Sequence, residues 1–249
     1  MIEQNYFKFS NSVIVAPLIA VISLWTVYWL ELRFQMNLND YGINPRTLEG
    51  LWGIIFSPFI HGSLEHLYNN TIPLAILIAA LFYFYRKSAL TVLLLGVLSS
   101  GLITWAIGRP SYHIGASGLI YVLASFIFFK GLFTKYYRLI ALSLIVVFVY
   151  GSMLWYIFPI KDGISWEGHL GGFLTGLVFA FFIKTDIPKP KKFLWEEEGY
   201  NDEADEFLQH FDEEGNFIET PPEPIDETNR IKIKYHIKEE RSQNPNTSD

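Results

Sequence analysis

The 249-residue sequence predicts an all-α membrane protein, on three observations: 51% of its residues are hydrophobic, 17% are aromatic, and long stretches run without a charge. A helix on the surface of a soluble domain is apolar on one face only, whereas a bilayer-spanning helix needs about 20 predominantly apolar residues in succession. Six segments fit the second description, at residues 13–30, 67–85, 89–107, 117–129, 139–158 and 169–183.

The first segment outruns a signal-peptide core and leads into "WLELRF" rather than a small-residue cleavage site, so an uncleaved span is expected. The second, third and fifth have the length to cross. The fourth and sixth fall short of the roughly 20 residues that about 30 Å of hydrocarbon requires, so each is expected to begin below the outer surface. After residue 184 the composition changes. Residues 1–184 hold 11 basic and 7 acidic side chains and residues 185–249 hold 8 and 18, which joins a core of +4 to a tail of −10. The chain therefore reads as a six-helix core over 1–184 and an acidic, largely disordered tail over 185–249. Within the tail, "FLWEEEGYNDEADEFLQHF" is at most a short helix and "RIKIKYHI" at most a short strand. With the N-terminus inside, ten Lys and Arg residues flank the cytoplasmic ends and four the other side, so both termini are expected to be cytoplasmic.

At 1.5 Å per residue from the basic anchors Lys130, Lys184 and Arg86, Ser117 lies about 20 Å up, His169 about 22 Å and Asn70 about 24 Å. Three polar side chains thus share a level inside the hydrocarbon, where unsatisfied polar groups are costly, and a water-filled cavity facing outward is expected. His66 and Asn70 are four apart, as are Ser117 and Tyr121, so each pair projects from one side of its helix. Gly168, Gly172 and Gly176 form a small-residue stripe suited to close helix packing.

The chain has no cysteine, which excludes disulfides, thiol nucleophiles and thiolate metal sites. The core carboxylates, Glu3, Glu31, Asp40, Glu49, Glu65, Asp162 and Glu167, all fall outside the expected spans. Glu65 and Glu167 adjoin histidines in sequence but point away on a helix. No acid is placed to complete a triad. A serine hydroxyl needs a base, and His169 is the candidate at matching depth, so a Ser117–His169 dyad is the arrangement to consider. His66 and Asn70 can offer side-chain N–H groups to an oxyanion. The Ser117 amide can join them because Gly115 and Gly118 permit an unusual turn and close approach.

These residues resemble the rhomboid intramembrane serine proteases over about residues 13–184. "GASG" at 115–118 is similar to the family's G-x-S-G box, "HGSLEHLYNN" at 61–70 to its H-x(4)-H-x(3)-N, and "GHLGGFLTG" at 168–176 to its histidine followed by spaced glycines. "YGINPRTLEGLWGIIFSPFIH" is similar to the first-loop segment of many bacterial members, which implies a multi-pass protein of a bacterial cell membrane. The resemblance implies that Ser117 is the nucleophile and His169 the general base. It implies an oxyanion hole of His66, Asn70 and the Ser117 amide, Tyr121 stacked on the catalytic imidazole, and His61 in a structural role. Trp52-Gly53 departs from the family's frequent Trp-Arg pair.

The expected activity is hydrolysis of peptide bonds in or beside transmembrane helices of protein substrates, with no cofactor, metal or nucleic acid. The alternative is an inactive rhomboid-like protein that binds membrane helices without cutting them. A transporter would carry an inverted repeat, and none is found. A metalloprotease would need H-E-x-x-H, and H-x(4)-H is not that spacing.

Overall fold

The computed structural model describes residues 9–149, 155–161 and 163–185, together with 193, 195, 198–201, 205, 207–212 and 214–219. The chain divides into two units, Met1–Pro190 and Lys191–Asp249. Among the described residues the first unit contains seven α-helices and no strand: α1 (Ser12–Phe34), the single turn α2 (Gly53–Phe56), α3 (Leu64–Phe84), α4 (Ala89–Ile107), α5 (Ser117–Phe133), α6 (Tyr137–Val149) and α7 (Trp166–Phe182). Three of them, α1, α3 and α4, are long and apolar enough to cross a membrane. α5 and α7, at 17 residues each, are about 25 Å long.

The burial pattern suits an apolar solvent. Leu90, Leu94, Leu98 and Leu102 recur every four residues along α4 and are all exposed, so this helix turns an aliphatic stripe outward. α5 is the central helix, buried without interruption from Ile120 to Ile127. Lipid offers little hydrophobic drive for helices to associate, so close backbone approach at small residues must supply the packing. A Cβ added at Gly172 would lie 2.2 Å from the Gly118 carbonyl oxygen, and one at Gly176 would lie 2.3 Å from that of Val122. At the far end of this contact the Lys130 ammonium is buried and donates to the carbonyls of Ala180 (3.0 Å) and Ile183 (2.6 Å), closing the last turn of α7. Lys130 therefore caps a neighbouring helix, where the sequence suggested only an interfacial anchor.

The segment between α1 and α3 is strapped to the end of α4. Arg46 donates through Nη1 to the Gly108 carbonyl (2.8 Å) and Trp105 through Nε1 to the Thr47 carbonyl (2.8 Å). Gly53 packs so closely that a Cβ would sit 2.2 Å from the Gly42 carbonyl oxygen. No side chain fits there without the backbone shifting, at the position after Trp52.

Two expected boundaries are corrected. Residues 139–158 are not α-helical throughout: α6 is described over Tyr137–Val149, residues 150–154 lie outside the described set, and Trp155–Ile157 is a 3-10 turn. Pro159 disfavours helix in the residue before it. The last helix begins at Trp166 rather than His169, because Ser165 supplies the first helical carbonyl and the charge of Glu167 is paired. In the second unit the described residues include a 3-10 turn at Leu208–His210 and an isolated bridge between Phe211 and Phe217. The segment 231–238 lies outside the described residues.

Candidate active site

The loop before α5 brings Ser117 to the first position of its helix. Gly115 has φ +104°, a left-handed conformation that favours glycine, and its N–H donates to the Ser57 carbonyl at 2.8 Å. Gly118 is not left-handed and a Cβ there would meet the Gly168 carbonyl oxygen at an ordinary 3.5 Å, so the unusual turn belongs to Gly115 and not to Gly118. A Cβ at position 115 would meet Cε1 and Nε2 of His66 at 2.7 Å and Nδ2 of Asn70 at 3.7 Å. The bare glycine backbone is what lets the loop lie against those two α3 side chains. Ser63 caps α3 just before them, its hydroxyl accepting from the His66 N–H at 3.1 Å.

His169 stands in the first turn of α7, with Nε2 2.9 Å from Ser117 Oγ. Its Nδ1 lies 2.9 Å from the Tyr156 main-chain carbonyl. A carbonyl can only accept, so Nδ1 carries the hydrogen and in the neutral ring Nε2 is left to accept from the serine hydroxyl. Tyr121, one turn after Ser117, stacks on the imidazole with ring centroids 4.3 Å apart and planes 16° from parallel. His66, Asn70, Ser117, Tyr121, Tyr156 and His169 all line one cleft of about 1380 Å³.

Among the described residues no carboxylate bonds to His169. Glu167 is fully buried and turned away from it, its Oε1 accepting from the backbone N–H of Arg109 (3.0 Å) and from Nε of the same residue (2.9 Å). His61 is buried beside the cleft, with Nδ1 3.3 Å from the Phe59 carbonyl and its ring edge-on to His66 at 5.0 Å. Burial, and then the neighbouring His66, lower its pKa to about 4.

A Rhomboid domain is matched by residues 48–185, more than half of the chain. The protein belongs to the rhomboid family. Similar proteins include uncharacterized proteins of Mycobacterium bovis and Mycobacterium tuberculosis, each 39% identical over 182 residues that cover 66% of this chain and 74% of theirs. An uncharacterized protein of Mycobacterium leprae is 35% identical over 182 residues, covering 66% of this chain and 70% of its own. Rhomboids are normally serine proteases, and the family also includes inactive members.

In this rhomboid, sequence reasoning missed the two main-chain acceptors, the carbonyls of Tyr156 and Ser57. Any residue carries a carbonyl, so nothing in the sequence marks them. It also missed the partner of Glu167. A basic residue in the loop between α4 and α5 was the available signal, since a carboxylate close to an apolar helix start needs a cation.

Proposed function

We propose that this protein is an intramembrane serine endopeptidase that cleaves membrane-protein substrates in or beside their transmembrane segments through Ser117 and His169. The observation that carries this reading is the 2.9 Å contact between His169 Nε2 and Ser117 Oγ, with the other ring nitrogen already committed to the Tyr156 carbonyl. Ser117 Oγ attacks the scissile carbonyl carbon while His169 Nε2 takes the hydroxyl proton. The carbonyl oxygen gathers negative charge facing the Ser117 N–H, His66 and Asn70. When the tetrahedral intermediate collapses, the C–N bond breaks and His169 returns the proton to the leaving amine. Water then attacks the acyl-enzyme, with His169 again the base, and releases Ser117.

The peptide bond of a regular helix is shielded by its own hydrogen bonds, so a substrate segment must unwind to enter the cleft. We further read six membrane crossings with both termini cytoplasmic and the cleft open to the opposite side. The short α5 and α7 support this, since helices of about 25 Å leave their N-terminal ends beneath the surface. The test is cleavage of a single-span substrate by the purified protein, with Ser117→Ala as control. Cleavage should be lost in the variant, together with labelling by a fluorophosphonate, and cleavage that persists in Ser117→Ala refutes the assignment.

A further inference from the structure

We propose that His113 is a positioning residue for the dyad, tying the loop that delivers Ser117 to the start of the helix that carries His169. The inference rests on the proteolytic reading above. His113 lies four residues before Ser117 and Ser165 four residues before His169, and His113 Nδ1 is 2.5 Å from Ser165 Oγ. The bonds His113–Ser165 and Ser117–His169 therefore span the same 52 residues of sequence and join the same two segments, like successive rungs of a ladder. Only the second rung has a place in the chemistry described so far.

The first rung is fastened at both ends. His113 Nε2 donates to the Arg109 carbonyl at 3.1 Å, so in the neutral ring Nδ1 accepts from the Ser165 hydroxyl. Arg109 reaches across to α7 by donating to Glu167 and to the Ile164 carbonyl. Ser165 in turn accepts the His169 N–H on its own carbonyl at 3.2 Å, which links the rung directly to the base-bearing residue. The main chain of His113 also exchanges hydrogen bonds with Ile43, at 2.9 Å in each direction.

The glycine contacts fix α5 against α7, and Gly115 holds the loop ahead of Ser117 against His66 and the Ser57 carbonyl, but neither contact joins that loop to the segment leading into α7. Among the described residues His169 has no acidic hydrogen-bond partner either. The His113–Ser165 bond is a side-chain tie from this loop to the start of α7, and it holds nucleophile and base in register. A displacement of about 1 Å in a reacting group can lower a rate by roughly 100-fold.

The test compares His113→Ala, Ser165→Ala, their double variant and Ser165→Thr in the full-length protein. Four quantities are read: kcat and KM on a fluorogenic single-span peptide in detergent, the rate of fluorophosphonate labelling, and Tm. Both alanine variants should lose about 10- to 100-fold in kcat and in labelling rate with KM within about twofold of wild type. The double variant should be no slower than the slower single one, and Ser165→Thr, which keeps the hydroxyl, should recover most of the rate. Alanine variants that turn over within about twofold of wild type overturn the proposal, as do losses that match the loss of folded protein. If His113→Ala does not fold, the two Ser165 variants decide alone. A wild type that neither labels nor cleaves refutes the proteolytic reading and this inference with it. An active wild type with unaffected variants refutes the inference alone.

Discussion

Asn70 has two amide hydrogens on Nδ2, and one is donated to the His66 carbonyl at 3.0 Å in its own helix. If the other serves the oxyanion, that bond forms mainly in the transition state, so Asn70→Ala should lower kcat by about 10- to 1,000-fold with KM nearly unchanged. Unchanged turnover with a lowered Tm, measured on one preparation, would assign Asn70 to packing instead. His61 calls for a different measurement. Its pKa is about 4 in the folded protein and near 6.5 when exposed, so between those values the unfolded chain binds more protons. The contribution of His61 to stability is therefore full above about pH 6.5 and is lost as pH falls toward 4. Thermal melts across that window should show a smaller decline for His61→Gln than for wild type, and equal slopes would contradict the burial argument.

The contact between α5 and α7 depends on main chain meeting main chain. A methyl group at position 172 would sit 2.2 Å from the Gly118 carbonyl oxygen, one residue from the nucleophile, so Gly172→Ala must push the helices apart. A destabilisation of about 1–3 kcal/mol is expected, together with a loss of fluorophosphonate labelling larger than the loss of folded protein; labelling in proportion to folded protein would confine the glycine to packing. This contact was legible in advance, because glycines at 168, 172 and 176 recur every four residues and a histidine stands at the top of the same helix. Ser117 as the start of its helix was legible too, from the charge-free run that follows it. The fifth segment was not legible. Its apolar residues continue to Phe158, and hydropathy alone does not separate one long helix from a helix followed by a turn that offers its carbonyl to His169.

For the whole molecule, the ten-to-four distribution of basic residues sets the expected orientation. A reporter fused after Asp249 should read cytoplasmic, and protease added to intact cells should leave the tail uncut; an extracellular reading would require either the opposite orientation or an odd number of crossings. That Asn70, Ser117 and His169 would come together was visible in residue counts, because a helix rises by a constant step. The polar cluster of Arg109, His113, Ser165 and Glu167 was not, since it joins a loop to a helix start, and no periodicity governs a loop.

The acceptor for His169 Nδ1 has a consequence for how this protein can vary. A main-chain oxygen survives every substitution at position 156, so a saturation scan there would register only the tyrosine side chain and pass over the group that faces the imidazole. That contact can be altered only by changing the backbone itself. An amide-to-ester exchange between residues 156 and 157 would weaken the carbonyl as an acceptor while leaving every side chain in place. As long as the turn keeps its path, the orienting group does not depend on which residue stands at 156.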